Sequence, residues 1–183
     1  MLNRISAFIL IILFSPIFIF VAIVIILEDG FPILFTQKRV GINYTFFKIY
    51  KFRSMKKNTP NVATHLLFNP DQYLLKIGKF IRKTSLDELP NLINIIKGEM
   101  VFVGPRPALY NQVDLMELRV VAGVDKLKPG ITGWAQINGR DEISIEAKVA
   151  LEKEYQIRKS LLFDIKILIK TFTNVLFSKG VSH

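Results

Sequence analysis

The sequence predicts a mostly helical α/β protein, built from an N-terminal membrane helix and one small globular domain. Three observations support this class: an uncharged apolar stretch near the start, two short strand-like segments after it, and several later segments with helical spacing. The chain has 183 residues, which suits a single domain with its own core. We assign residues 1–30 to the membrane helix and residues 31–183 to the domain.

The membrane helix is predicted from Ala7–Leu27, which carries no charge and in which only Ser15 and Pro16 are not hydrophobic. These twenty-one residues match the ~20 that cross a bilayer. The run is too long for a signal peptide, and no small-residue cleavage pattern follows it. Pro16 predicts a kink near the middle. A kinked spanning helix and a helix that bends back to its side of entry both remain open.

The remaining elements follow from periodicity and breakers. Two stretches rich in aromatic and β-branched residues are predicted strands joined by a turn at Gly41–Asn43, namely Phe35–Val40 and Phe46–Arg53. Four segments are predicted helices: Tyr73–Lys83, Asp87–Lys97, Ile143–Lys159 and Leu161–Phe177. The last carries only three charged residues, which suits either the membrane interface or an ordinary core.

Positive charge is concentrated in one part of the chain. Between Thr36 and Lys83 lie eleven lysines and arginines, and Asp71 is the only acidic residue there, so this stretch accounts for the whole net charge of +10. Such a block predicts an anionic partner and favours the cytoplasmic side of a membrane. Aromatic residues interleaved with bases at residues 46–55 also fit nucleic acid, but the adjacent membrane helix disfavours that reading.

Residue counts exclude several chemistries. The chain has no cysteine, so it has neither a disulfide framework nor a thiol nucleophile. With only two histidines, His65 and His183, a histidine-rich metal site is excluded and a Ser/His/Asp triad is disfavoured. The standard P-loop, dinucleotide-binding and zinc-protease spacings are absent.

The first candidate for catalysis is the carboxylate pair Asp87–Glu88, predicted to open a helix because Pro90 is tolerated only in a first turn. Backbone N–H groups there are expected to keep Asp87 ionised. An ionised aspartate can attack phosphorus, and two carboxylates suit Mg²⁺. The alternative is structural, since aspartate is a common helix N-cap.

Arg106 and Arg140 are the second candidates. Arg106 lies between two prolines, and Arg140 follows an Asn-Gly turn. An arginine on a stiff turn can hold a phosphate with two hydrogen bonds, although each can equally be an ordinary surface residue. Together with the carboxylate pair and the basic strand, they would suit a diphosphate substrate with Mg²⁺.

At these residues the chain resembles the monotopic phosphoglycosyl transferases, bacterial sugar transferases that initiate glycoconjugate assembly. The resemblance runs from Ser15 to Ser182, in the family's order and at similar spacing. Its motifs are Tyr50-Lys51-Phe52-Arg53-Ser54-Met55, Ser85-Leu86-Asp87-Glu88-Leu89-Pro90, Gly104-Pro105-Arg106-Pro107, Pro129-Gly130-Ile131-Thr132-Gly133-Trp134-Ala135-Gln136 and Asn138-Gly139-Arg140.

The resemblance implies a reaction. Asp87 would attack the β-phosphate of a UDP-sugar and release UMP, and undecaprenyl phosphate would then attack the aspartyl phosphosugar. Asp87 and Glu88 are predicted to bind Mg²⁺, and Glu88 to assist with the metal or with a proton. Lys51, Arg106 and Arg140 match positive positions around the family's active site, and we predict that they bind substrate together with Arg53.

The resemblance also implies an architecture and a location. Ser15 and Pro16 match the family's break in a re-entrant helix, which favours an anchor that dips into the membrane without crossing it. The fold would be mostly helical with amphipathic helices at the interface. We therefore expect a Mg²⁺-dependent enzyme on the cytoplasmic face of the bacterial inner membrane, contacting anionic lipid and no nucleic acid. The donor sugar, the glycan pathway and a homodimer are left open by the sequence.

Two alternatives come from other classes of protein. A membrane-anchored scaffold would use the basic block to bind lipid and would not require Asp87 or Arg106. A membrane-tethered nucleic-acid binder is suggested by charge alone. Release of UMP that depends on Mg²⁺ and polyprenyl phosphate separates an enzyme from a scaffold, and a salt-sensitive gel shift would identify a nucleic-acid binder.

Overall fold

The computed structural model describes residues 1–60, 68–139 and 143–177. It confirms a mostly helical chain with a short β-hairpin. The helices are α1 (Leu2–Leu13), α2 (Ser15–Asp29), α3 (Lys76–Lys83), α4 (Asn91–Lys97), α5 (Val113–Ala122), α6 (Trp134–Ile137), α7 (Ile145–Arg158) and α8 (Leu161–Leu176). The strands are β1 (Leu34–Val40), β2 (Phe46–Phe52), β3 (Val101–Val103) and β4 (Gly130–Thr132).

The apolar N-terminal segment is a bent pair of helices. Helix α1 ends before Phe14, α2 begins at Ser15 with Pro16 in its first turn, and their axes differ by 61°. The kink predicted at Pro16 is therefore confirmed. Within the described residues no helix alone has the length and apolar composition to cross a bilayer, although α1 and α2 together reach both.

Both halves of the bent pair pack against the domain. Ala7 of α1 is buried in a cluster with Phe47 of β2 and Ile95 of α4. Val21 and Ile25 of α2 are buried with residues from β2 and α3. The apolar segment thus contributes to two of the domain's own cores, and burial of these side chains ties its orientation to the domain.

The hairpin confirms the two predicted strands to within one residue at each end. β1 and β2 are antiparallel, with Leu34 opposite Phe52 and Val40 opposite Phe46, and a single helical turn at Ile42–Tyr44 connects them. Because side chains alternate along a strand, the buried Phe47 and Ile49 share one face of β2 with Lys51. The hairpin thereby directs one basic side chain toward the interior.

Helix α4 closes the free edge of the hairpin through Asn94, a fully buried side chain. Its Nδ2 donates to the carbonyl of Lys48 at 2.7 Å, and its Oδ1 accepts from the backbone N–H of Tyr50 at 3.2 Å. The amide therefore occupies the place of a third strand and satisfies edge groups that α4 would otherwise bury unpaired.

A second sheet and two helices, α5 and α6, were not predicted. β3 and β4 form a parallel pair, with Val101 opposite Gly130 and Val103 opposite Thr132. No strand was predicted at either position. A Cβ on Gly130 would lie 2.2 Å from the backbone nitrogen of Gly104, so only glycine permits this approach. Helix α5 lies between β3 and β4 in the chain, in a segment for which no element was predicted.

The two C-terminal helices match the prediction closely. Ser144 caps α7 and Ser160 caps α8, each accepting a backbone N–H three residues on. Phe163 and Ile167 of α8 are buried against Val103 and Tyr155. The opposite side of α8 is an exposed apolar face, formed by Leu161, Leu162, Ile165, Ile169, Phe172 and Leu176.

We predict that Asn94→Ala lowers the free energy of unfolding by about 1–3 kcal/mol, because it leaves the carbonyl of Lys48 and the N–H of Tyr50 buried without partners. Denaturant unfolding measures this. Asn58→Ala is the matched control, since Asn58 is exposed and its loss should change stability by less than about 0.5 kcal/mol. Equal stability of the two variants would contradict the proposed edge closure.

Candidate active site

The predicted carboxylate pair lies in a single helical turn, Leu86–Glu88, between α3 and α4. The expectation that Asp87 opens a continuous helix is wrong, because α4 begins only at Asn91, after Pro90. Ser85 precedes the turn with φ at 56°, in the left-handed region. This bend turns Asp87 into the domain, where its side chain is only 9% exposed.

Burial dominates the chemistry of Asp87. It raises the pKa of that carboxyl from 3.8 to about 6, a change that Glu88 reinforces and that the charges of Lys51, Arg82 and Arg106 oppose. The sequence had suggested that a helix start would favour the ionised form. In the structure, burial raises the pKa of Asp87 instead of lowering it. With a pKa of about 6, the poorly solvated carboxyl is still mostly ionised at pH 7.

Four of the predicted site residues come together. Lys51 Nζ lies 2.6 Å from Glu88 Oε1, and Arg106 Nη1 lies 3.7 Å from the same oxygen. Both cations also act on the charge of Asp87. Strand β2, the Leu86–Glu88 turn and the Gly104–Pro107 turn thus converge on one cleft, which Lys51, Glu88 and Arg106 line, and Asp87 is buried next to Glu88.

Two further arginines belong to this surrounding and were not predicted as site residues. Arg82 of α3 donates from Nε to Ser54 Oγ at 2.8 Å and adds positive charge near Asp87. Arg39 of β1 lines the cleft with Lys51 and Arg106. The alternation of side chains along the two predicted strands could have indicated Arg39, because in the hairpin it lies on the same face as Lys51.

Arg39 is a largely buried cation that lies near a second cation, Arg106. Burial, and then the neighbouring charge of Arg106, lower the pKa of its guanidinium from 12.5 to about 10. Its buried Nε has no hydrogen-bond partner among the described residues. Two cations that repel each other beside a cleft favour an anion between them.

The structure does not bring Arg53 into this site. Its side chain is buried at the end of α2, where it pairs with the Asp29 carboxylate and donates to the carbonyls of Gly30 at 2.5 Å and Pro32 at 2.6 Å. These contacts consume its donors, so Arg53 joins the apolar segment to the domain. Arg140, the other predicted phosphate ligand, lies outside the described residues.

The two carboxylates at this site suit a Mg²⁺ ion that the substrate also coordinates, and among the described residues they are too few to enclose a metal with protein ligands alone. In the described ranges no group of three or more His, Asp or Glu side chains could hold a metal ion. Mg²⁺ is commonly bound through one or two carboxylates, with waters and substrate phosphates completing its coordination. Asp87 and Glu88 can supply those carboxylates, so their assignment as metal ligands remains a prediction.

A buried, ionisable aspartate beside lysine and arginine, on a domain packed against a bent apolar helix pair, suits an enzyme that handles phosphorylated substrates. The comparison with known families agrees. The model of the bacterial sugar transferase family matches residues 1–178, and the chain belongs to that family.

Three relatives match this chain over most of its length. The uncharacterized sugar transferase EpsL of Bacillus subtilis is 42% identical, over 92% of this chain and 82% of the relative. The UDP-glucose:undecaprenyl-phosphate glucose-1-phosphate transferase of Escherichia coli is 40% identical, over 90% of this chain but 37% of its own length. The UDP-N-acetylgalactosamine-undecaprenyl-phosphate N-acetylgalactosaminephosphotransferase of Aeromonas hydrophila is 35% identical, over 98% of this chain and 44% of the relative.

We predict that Asp87→Asn stabilises the protein at neutral pH. A carboxyl whose pKa is raised on folding favours the folded state below about pH 4 and loses that contribution as the pH rises through about 6. Asparagine removes the buried charge, so the variant should gain up to about 3 kcal/mol over wild type at pH 7–8 and little at pH 4. Thermal unfolding across this pH range measures the difference.

The matched control is Asp71→Asn, because Asp71 is an exposed aspartate and its replacement removes no buried charge. This variant should follow the wild type at every pH. A stability difference for Asp87→Asn that stays constant between pH 4 and pH 8 would contradict the burial of an ionised carboxylate.

Proposed function

We propose that the protein transfers a sugar-1-phosphate from a UDP-sugar to undecaprenyl phosphate, releasing UMP, through a covalent intermediate on Asp87. The observation that carries this proposal is the poorly solvated Asp87 carboxylate beside Lys51, Arg82 and Arg106. Burial leaves this oxygen reactive, and the surrounding cations match a substrate that brings two phosphates.

In the first step an Asp87 oxygen attacks the β-phosphorus of the donor. The bond from that phosphorus to the bridging oxygen breaks, and the bridging oxygen leaves as part of UMP. Charge accumulates on the phosphoryl oxygens during the transfer, so fixed cations stabilise it more than they stabilise the ground state. Lys51 and Arg106 line the cleft and are suited to this role.

In the second step an oxygen of undecaprenyl phosphate attacks the same phosphorus, and the Asp87 carboxylate leaves. The products are the polyprenyl diphosphate sugar and the original enzyme. Glu88, hydrogen-bonded to Lys51, would hold or move a proton at Oε1. Mg²⁺ held by Asp87 and Glu88 would neutralise phosphate charge on the donor.

The relatives' names support the acceptor but leave the sugar open. Those of the Escherichia coli and Aeromonas hydrophila relatives specify undecaprenyl phosphate, with glucose in one and N-acetylgalactosamine in the other. The nucleotide sugar in both names supports a UDP-linked donor here. A third name, from Salmonella typhimurium, specifies galactose. We therefore propose the donor class and no particular sugar.

The packing of the apolar segment supports a re-entrant anchor. At the start of α1, Asn3 Oδ1 accepts from the N–H of Phe102 and Arg4 donates to the carbonyl of Lys97, at 3.5 and 3.4 Å. At the end of α2, Asp29 pairs with Arg53. Both ends are thus bonded to the same domain, which favours a helix pair that enters and leaves one leaflet.

The same geometry supports a location on the cytoplasmic face of the bacterial inner membrane. The exposed apolar face of α8 can lie in the interface. The exposed lysines of the basic block would attract anionic lipid at roughly 1 kcal/mol per residue near the surface, namely Lys38, Lys48, Lys56, Lys57, Lys76, Lys79 and Lys83. A carboxylate held at this boundary meets a lipid that stays in the bilayer and a nucleotide sugar that stays in water.

The test of the reaction is UMP release from UDP-sugars by nanodisc-held protein with Mg²⁺ and undecaprenyl phosphate. We expect release with at least one donor of a broad panel, and loss of at least about 10³-fold in Asp87→Asn because the nucleophile is gone. Asp71→Asn should remain active. Turnover that survives in Asp87→Asn would refute the covalent step, and wild-type inactivity with every donor would favour the scaffold.

The anchor is tested by labelling single cysteines with a membrane-impermeant maleimide, which is straightforward because the chain has no cysteine. Leu2→Cys and Lys126→Cys, both exposed, should stay unlabelled in intact spheroplasts and react after permeabilisation. Leu13→Cys, at the bend, should resist labelling in both. Labelling of Leu2→Cys in intact spheroplasts would identify a spanning helix.

A further inference from the structure

The turn that carries Arg106 is held by other parts of the fold at nearly every carbonyl. Pro105 and Pro107 have no N–H, so this turn cannot build its own hydrogen-bonded ladder. The carbonyl of Pro105 instead accepts from the N–H of Gly130 at 2.9 Å, and that of Pro107 accepts from Arg39 Nη1 at 3.1 Å. The remaining supports come from α5 and α7.

Helix α7 supports the turn from both sides. The hydroxyl of Tyr155 lies within hydrogen-bond distance of the carbonyl of Val103, at 3.0 Å just before the turn, and of Asp164 Oδ1, at 2.8 Å, and its one proton is shared between these acceptors. Arg119 Nη2 donates to the carbonyl of Arg106 itself at 2.9 Å, and Glu152 holds Arg119 in place. Glu152 and Tyr155 are three residues apart and so lie on one face of α7.

The pair of Arg119 and Glu152 is a buried ion pair with two hydrogen bonds. Arg119 Nε donates to Glu152 Oε2 at 2.8 Å and Nη2 to Oε1 at 2.5 Å, and the two side chains are 6% and 2% exposed. Replacing such a pair with apolar residues is often neutral or stabilising, so stability alone is a weak reason for it. What apolar residues could not supply is the donor to the Arg106 carbonyl.

We propose that Glu152 is a positioning residue for phosphate binding: through Arg119 it fixes the backbone of Arg106, and with it the guanidinium at the cleft. The proposal rests on the proposed function, in which Arg106 holds a phosphate of the donor. Glu152 does not line the cleft and acts only through this chain of contacts. A displacement of about 1 Å at a binding group can cost 10²-fold in rate.

The decisive variant replaces the ion pair and keeps the core. Arg119→Met with Glu152→Met removes both charges at similar volume, so the double variant should keep a thermal midpoint within a few degrees of wild type. We expect its affinity for UDP, measured by calorimetry, to fall about tenfold or more, with a matching rise in KM for the active UDP-sugar. Glu146→Gln, an exposed change on the same helix, should alter neither quantity.

A double-mutant cycle with Arg106→Ala separates positioning from general damage. If the pair acts through Arg106, the methionine pair should cost little further UDP affinity once Arg106 is absent. Full UDP affinity in the methionine pair, or an equal loss with and without Arg106, would overturn the proposal. Because UDP binding requires no turnover, a wild type that binds UDP and releases no UMP would refute the reaction without affecting this test. A wild type that fails to bind UDP would overturn both phosphate binding by Arg106 and the role of Glu152.

Discussion

The burial of the Asp87 carboxylate among cations is the constraint on which the rest of the structure depends. A carboxylate removed from water tends to become neutral, and a neutral carboxyl could not serve as the nucleophile proposed above. Lys51, Arg82 and Arg106 oppose that tendency, and the resulting pKa of about 6 keeps Asp87 ionised at neutral pH. Each cation comes from a different element, so the site exists only when the hairpin, α3 and the Gly104–Pro107 turn are all in place.

The fold secures each of these elements by hydrogen bonds from elsewhere. Asn94 closes the hairpin edge, and Ser54 accepts from Arg82. The close approach of Gly104 and Gly130 sets the Arg106 turn against β4. These contacts hold the cations in place before any reaction begins. Electrostatic stabilisation of a phosphoryl transfer requires such fixed charges near the oxygens on which negative charge accumulates.

The apolar N-terminal segment is part of the same cooperative unit. Its two helices contribute Ala7, Val21 and Ile25 to the cores beneath the hairpin and α3, and Arg53 ties its end to β2. An apolar segment that shares its cores with the elements around Asp87 cannot move independently of them. On the proposed function, this packing would fix the distance between the bilayer and Asp87, which suits a lipid-bound acceptor.

The sequence alone determined features that depend on local stereochemistry. Pro16 marked the bend, and aromatic and β-branched residues marked β1 and β2, because φ restrictions and side-chain alternation act within a few residues. The motifs around Asp87 and Arg106 identified most of the site and the resemblance to the family. Only the tertiary structure decided the pairing of β3 with β4, the inclusion of Arg82, the role of Arg53 at the anchor and the raised pKa of Asp87. Those features depend on contacts between residues far apart in the chain and on exclusion of water, and neither leaves a local pattern in the sequence.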